Sequence, residues 1–169
     1  ESPTWRANRA WAEPLGYDAE ALADANRLAI GLMLEIRDRF ERPGRPFIVS
    51  GNIGPRGDGY FPDRLMSVEE ARAYHAEQIG TFAGTDADMV SAFTLNYTAE
   101  AIGIAQAARD HDIPVVISFT VETDGRLPSG DTLADAIART DDATAGYPAY
   151  YMINCAHPVH FRSVLTQGG

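Results

Sequence analysis

The sequence contains no lysine, a single cysteine and no long hydrophobic run, and each shortage excludes a class of protein. Without lysine there is no Schiff-base lysine and no phosphate-loop lysine. One cysteine excludes an internal disulfide framework and suits a reducing cytoplasm. No apolar run reaches the roughly 18–20 residues that span a bilayer, and the first residues lack a signal-peptide pattern. We therefore expect a cytoplasmic protein with no membrane partner.

Positive charge is also scarce, because 14 arginines stand against 24 acidic residues and leave a net charge of −10. A nucleic-acid binder needs a basic surface to neutralise phosphates, so we expect no nucleic-acid partner. The 169 residues, 45% of them hydrophobic, suffice for one domain with a buried core. No linker or repeat marks a second domain.

Short segments rich in β-branched and aromatic residues predict strands. These segments cover residues 46–50, 88–95, 114–121 and 150–155, and residues 1–5 are a possible fifth strand end. Their nearly continuous apolar character is typical of strands that are covered on both faces.

Helical patterns separate the predicted strands. Ser67 and Glu70 have the spacing of a capping box, and Pro158 suits the first position of a helix. The predicted helices cover residues 18–40, 67–83, 98–111 and 131–139, and a fifth begins at Pro158.

The alternation of strand and helix predicts an α/β fold with a parallel sheet of right-handed βαβ units. Two architectures compete at this point. An open doubly wound sheet could close within 169 residues, whereas a (β/α)₈ barrel typically needs about 250 residues, so this chain would hold only part of one.

Cys155 lies at the predicted carboxyl end of a strand, where parallel α/β folds place their active sites. His157 and His160 follow it closely, so a mixed sulfur and nitrogen metal site is one interpretation. The alternative is a buried, inert thiol beside two structural histidines. A nucleophilic role for Cys155 lacks a paired base.

The segment of residues 51–60 is rich in glycine and also follows a strand. It does not match a dinucleotide-binding fingerprint, so it is either a tight loop or a loop that lines a substrate site. Glu122 stands at another strand end, where it could bind an ammonium group or pair with an arginine. We place Glu100, His75 and His111 on solvated helix faces.

Several segments together resemble the homocysteine S-methyltransferase family. They are the Gly-Asn-Ile-Gly-Pro loop at 51–55, the stretch 114–130, the Asn-Cys-Ala-His-Pro run at 154–158, the Glu-Ala pair at 100–101, and residues 2–7. The likeness follows the family's order over essentially the whole chain. It implies a partial (β/α)₈ TIM barrel in one incomplete homocysteine-binding domain, residues 1–169. That domain would run from the end of strand two through the helix after strand six.

The resemblance also implies zinc-dependent methyl transfer to the thiol of homocysteine, which gives methionine. The donor would be S-methylmethionine or S-adenosylmethionine. The family holds zinc through three cysteine thiolates, and Cys155 matches one of them. The first strand and the Gly-Gly-Cys-Cys segment that carries the other two are missing from this sequence, so we expect the fragment to be inactive alone. The alternative is a non-catalytic truncated barrel that binds a partner or self-associates through open sheet edges.

The resemblance assigns no catalytic residue here, but it suggests substrate contacts. The residues that we assign to substrate binding are Trp5, Asn52, Thr94, Glu122 and Asn154. Relatives often carry Glu-Thr at the end of strand four, where this chain has Phe93 and Thr94. The substrate's amino group therefore needs Glu122 or a residue outside the chain, unless the substrate differs. Asn154 would orient the zinc ligand or bind substrate.

Overall fold

The computed structural model describes residues 1–61 and 64–166, in which helices and parallel strands alternate. The elements are α1 (Arg9–Ala12), a 3₁₀ turn (Glu13–Leu15), α2 (Ala19–Phe40), β1 (Ser50–Ile53), α3 (Val68–Ala83), β2 (Met89–Leu95), α4 (Thr98–Asp110), β3 (Val115–Phe119), α5 (Leu133–Thr144), β4 (Tyr150–Ile153) and α6 (Pro158–Thr166). None of the described helices combines the length and hydrophobicity that a membrane span requires.

The four strands lie in the order β1-β2-β3-β4, and every neighbouring pair is parallel. Successive helices also contact each other, α2 with α3, α3 with α4 and α4 with α5, so they cover one face of the sheet. A doubly wound sheet would reverse its strand order and place helices on both faces. The fold is therefore a partial barrel, and the doubly wound alternative is wrong.

The two faces of the sheet differ in polarity because side chains alternate along each strand. A Cβ added to Gly51 would lie 2.5 Å from the Phe82 ring of α3, so this position faces the helices and only glycine fits. Its neighbour Ser50 faces the other way and shares a 2.7 Å hydrogen bond with Ser91. The strand side chains that face the helices pack with the inner side chains of those helices and form the apolar core. This core includes Ile53, Phe82, Val90, Leu95, Ile104, Ile117 and Phe119.

The predicted helix starts are confirmed where a capping signal was present. Asp18 accepts from the Ala21 N–H, and Ser67 and Glu70 make both hydrogen bonds of the capping box. Pro158 is the first residue of α6.

The fourth predicted helix is placed too early and is too short. Thr132, not Asp131, caps α5, because its hydroxyl accepts from the Asp135 N–H at 3.1 Å. The helix continues past Arg139 to Thr144. Its last two turns include Thr140 and Thr144, which can be buried because their hydroxyls donate to carbonyls four residues earlier.

The possible strand at residues 1–5 is not present, and α1 was not predicted. The Ser2 N–H donates to the Ser50 carbonyl, but the Ser2 hydroxyl, not a backbone carbonyl, accepts from the Asn52 N–H. Pro3 has no N–H to continue a ladder, and the chain turns at Thr4. The segment therefore lies along the outer edge of β1 without extending the sheet.

Candidate active site at the carboxyl ends of the strands

Asn154 joins three strand ends through its side-chain amide, directly after β4. Its Oδ1 accepts from the Thr94 N–H at 2.9 Å and from the Ser118 hydroxyl at 2.8 Å. Its Nδ2 donates to the Thr94 hydroxyl at 2.8 Å and to Cys155 Sγ at 3.2 Å. The residues predicted at positions 94, 154 and 155 are thus in direct contact.

Two members of this cluster have left-handed backbone conformations that non-glycine residues rarely adopt. Thr94 has φ 64° and Cys155 has φ 54°. Between Ala92 and Leu95 the register between β2 and β3 shifts, which interrupts the regular ladder and turns Thr94 toward Asn154. Such conformations concentrate at functional sites, because surrounding contacts must offset their cost. Here the hydrogen bonds of Asn154 do so.

The Cys155 thiol is exposed, which excludes the interpretation of a buried, inert cysteine. The interaction with the Cys155 side chain is the first cause that raises the pKa of Tyr60, a residue of the glycine-rich loop, and partial burial is the second. Tyr60 therefore lies near the sulfur, to which the Asn154 amide donates.

The neighbouring histidines do not complete a metal site with Cys155. His157 is exposed, and its Nδ1 accepts from the Val159 N–H at 3.3 Å. Its ring centroid lies 6.0 Å from that of His160. Within residues 1–61 and 64–166 no group of three His, Cys, Asp or Glu side chains could hold a metal ion. The mixed cysteine and histidine site is therefore not formed.

The other predicted substrate residues lie at different distances from the cluster. The Trp5 indole N–H donates to the Phe93 carbonyl at 3.2 Å, which fixes it beside the end of β2. Asn52 lies in β1, and its Oδ1 is buried without a hydrogen-bond partner in the part of the chain described. Glu122 is exposed, and its backbone N–H donates to the Arg126 carbonyl. The structure gives no contact between Glu122 and the cluster for the residues it describes.

The glycine-rich loop lies against the cluster. A Cβ on Gly59 would come within 2.9 Å of Thr94 Cγ2, so glycine allows this approach. The Asp58 carbonyl accepts from Asn96 Nδ2 at 2.9 Å. The Asp58 carboxylate accepts from the N–H groups of Tyr60 and Phe61, and these bonds lower its pKa.

Two residues that we expected on solvated faces are buried. His75 and Glu100 are each 1% exposed, and His75 Nε2 lies 2.9 Å from Glu100 Oε1. His75 lies on the ridge of α3 that also carries the buried Ala71 and Gln78, and this spacing was a signal for burial. His111 is exposed, as predicted.

The sequence interpretation also missed Ser118 and Tyr60 as members of the site. Ser118 is the only polar residue within β3, and a hydroxyl near the carboxyl end of a parallel strand was the available signal. Tyr60 lies in the loop that we considered as substrate-lining, but no spacing in the sequence links it to Cys155.

Comparison with known proteins identifies the family to which the chain belongs. A model described as homocysteine S-methyltransferase matches residues 1–168. The homocysteine methyltransferase MmuM from Escherichia coli is similar in its metallated form, with 25% identity and a TM-score of 0.79, and in its oxidized form, with 24% identity and a TM-score of 0.81. Both matches cover 91% of this chain and 56% of the MmuM chain.

The apo form of MmuM gives 26% identity and a TM-score of 0.69 over 84% of this chain and 52% of its own. No curated protein sequence matches significantly. The chain therefore spans little more than half the length of the solved structures it resembles. The match over residues 1–168 shows that the chain belongs to the homocysteine S-methyltransferase family.

Proposed function

We propose that these residues are part of a barrel that transfers a methyl group to the thiol of homocysteine and so produces methionine. Residues 1–169 form one incomplete homocysteine-binding domain, which is inactive alone. The partners are homocysteine and a methyl donor, either S-methylmethionine or S-adenosylmethionine, in the cytoplasm. Neither nucleic acid nor membrane is a partner.

The observation that supports this function is the exposed thiol at the carboxyl ends of the strands. Cys155 has a left-handed backbone and receives the Asn154 amide, so its sulfur is held at the open edge of the sheet. This is the edge where barrel enzymes carry out their chemistry. A purely structural cysteine would not require a strained backbone that exposes it.

The described residues do not form a zinc site by themselves. Zinc in proteins takes three or four side-chain ligands, and the described part of this chain offers one thiolate with no group of three ligands. Cys155 is therefore proposed as one of three thiolate ligands in the complete protein. This chain alone does not supply the zinc chemistry.

Substrate contacts are proposed for the residues around this thiol. Thr94 and Asn154 form the polar floor, Trp5 stands at its side, and the unpartnered Asn52 Oδ1 is an acceptor on the same sheet. Glu122 would bind the ammonium group of homocysteine from the loop that follows β3, in place of the glutamate that relatives carry at the position of Phe93.

The test of the function uses the complete protein that contains these residues. We expect methionine to form from homocysteine and one of the two donors, and Cys155→Ser to lower the rate by at least about 100-fold, since loss of a ligand exceeds the usual effect of its surroundings. His157→Gln changes an exposed residue of the same loop and should leave the rate within a factor of about two. Full activity of Cys155→Ser would refute the proposal.

The role of Glu122 has a separate test in the same protein. Glu122→Gln should raise the KM for homocysteine by roughly tenfold with little change in kcat, because it removes a charge pair in binding. Asp142→Asn, an exposed acid on α5, is the matched control. An unchanged KM for Glu122→Gln would assign the ammonium group to another residue.

A second function, self-association without catalysis, is favoured by an exposed apolar stripe on α2. Four large side chains repeat every fourth residue and are each more than one-third exposed; they are Leu28, Leu32, Ile36 and Phe40. A stripe at this spacing packs against another helix, and β4 is an outer strand of the sheet. The occupant proposed is a second copy of the chain.

Sedimentation of the 169-residue chain tests this second function. We expect a concentration-dependent dimer that Leu32→Glu dissociates, whereas Leu15→Glu, at an exposed leucine outside α2, leaves it intact. A monomer at all concentrations would exclude self-association.

A further inference from the structure

A buried carboxylate in the helical layer is connected to the loop that contacts the thiol. Glu100 stands in the first turn of α4 and is 1% exposed. Its Oε1 accepts from the Arg56 backbone N–H at 2.8 Å and from His75 Nε2 at 2.9 Å. A buried carboxylate without partners would be costly, so these hydrogen bonds are strongly favoured.

The same carboxylate also reaches the other end of the loop. Burial, and after it the nearby charge of Glu100, raise the pKa of the Tyr97 hydroxyl, which accepts from the Met66 N–H at 3.1 Å. Tyr97 and Met66 are both buried. Glu100 therefore holds the chain at Arg56, where the loop leaves β1, and lies near Tyr97, which holds Met66 just before α3 begins.

Between these anchors the loop makes its contacts with the thiol cluster. Gly59 lies against Thr94, and the Asp58 carbonyl is bound by Asn96, the residue directly after β2. Tyr60 directly follows Gly59, and its interaction with the Cys155 side chain raises the pKa of the Tyr60 hydroxyl. The path from Glu100 to the thiol cluster thus consists of one hydrogen bond to the Arg56 backbone and the five loop residues 56–60.

We propose that Glu100 is a positioning residue, whose carboxylate fixes the loop of residues 54–61 to α4 and thereby holds Tyr60 over the Cys155 thiol. Glu100 contacts neither the sulfur nor its polar floor. The inference deepens the proposed function, since it concerns the same site. It predicts that access to the thiol depends on a carboxylate in the helical layer.

The test uses the fact that Cys155 is the only cysteine of the sequence. The rate of alkylation by iodoacetamide, at one fixed pH, reports access to this thiol in the 169-residue chain. Glu100→Gln should raise the rate by roughly tenfold, because a hydrogen bond to a charged group typically shifts an equilibrium by that factor. Tyr60→Ala, which removes the ring that lies over the thiol, should raise it as well.

The double variant separates positioning from general destabilisation. If Glu100 acts through Tyr60, then Glu100→Gln combined with Tyr60→Ala should alkylate no faster than the faster single variant. Tyr147→Phe is the control, because the Tyr147 hydroxyl donates to the Ala108 and Ile113 carbonyls, which lie outside the loop of residues 54–61. It should leave the rate unchanged.

Two results would overturn the inference. One is an alkylation rate for Glu100→Gln no higher than that of Tyr147→Phe, and the other is a double variant whose effect is the product of the single effects. Should circular dichroism show that Glu100→Gln does not fold, Tyr97→Phe removes one hydroxyl of the network and takes its place. The measurement does not involve methyl transfer, so this inference and the proposed function fail independently.

Discussion

At the scale of single residues, the site depends on an amide and two unusual backbone conformations. Asn154 uses both its acceptor and its donor to tie Thr94, Ser118 and Cys155 together. The sequence indicated Asn154 and Cys155 through their position after a strand. The left-handed conformations could not be predicted, because they arise from contacts with residues 36 and 60 positions away along the chain.

The backbone of Cys155 gives the prediction at this scale. Cys155→Gly should be more stable than Cys155→Ala by about 1 kcal/mol, because both lack the thiol and only glycine adopts φ 54° without strain. Urea unfolding of the two variants measures the difference. Ala138→Gly in the interior of α5 is the control and should lower stability. Equal stability of the two Cys155 variants would contradict a strained backbone.

At the scale of elements, the helices and strands follow from capping signals and apolar periodicity. Where a cap was clear, as at Ser67, the predicted helix start is confirmed; α5 was placed wrongly because the Thr132 cap resembles its polar neighbours. The sequence interpretation missed the burial of His75 and Glu100, because their side chains can be buried only when they hydrogen-bond to each other. That hydrogen bond depends on how α3 packs on α4. Apolar periodicity predicts which face of a helix is buried, but it does not predict the hydrogen-bond partners of polar residues on that face.

The contact of α3 with α4 gives the second prediction. A Cβ on Gly103 would lie 2.5 Å from Ala71 Cβ and 2.8 Å from the Val68 carbonyl, and neither can move away without shifting α3. Gly103→Ala should therefore lower the free energy of unfolding by about 2 kcal/mol. Gly31→Ala on α2 is the matched control, with open space around it, and should raise stability by about 1 kcal/mol. An unchanged free energy of unfolding for Gly103→Ala would contradict the close packing of α3 on α4.

At the scale of the whole molecule, strand order and helix placement define the fold as part of a barrel. The alternation of strands and helices did not exclude a doubly wound sheet, because both folds share that alternation. The strand order β1-β2-β3-β4 distinguishes the two folds, because a doubly wound sheet would reverse its strand order. The polar ends of the strands then meet at one edge, which explains why residues far apart in sequence share one site.

Buried tyrosines give the third prediction, on stability at high pH. Burial raises the pKa of Tyr74 to about 12, and burial also raises the pKa values of Tyr97 and Tyr151 above the ordinary value of 10. The unfolded chain loses these protons first, so their contribution is present below pH 10 and is lost as the pH rises toward 12. Urea midpoints should fall across that window. Constant midpoints between pH 10 and 12 would contradict burial of these phenols.

The most direct test of the central claim is the zinc content of the complete protein, measured together with its intact mass. A complete barrel has a mass of roughly 30 kDa, and we predict about one zinc per chain, with none bound by the Cys155→Ser variant. The 169-residue chain alone should bind no zinc. Full zinc content in the Cys155→Ser variant would contradict the assignment of Cys155 as a metal ligand, and with it the proposed function.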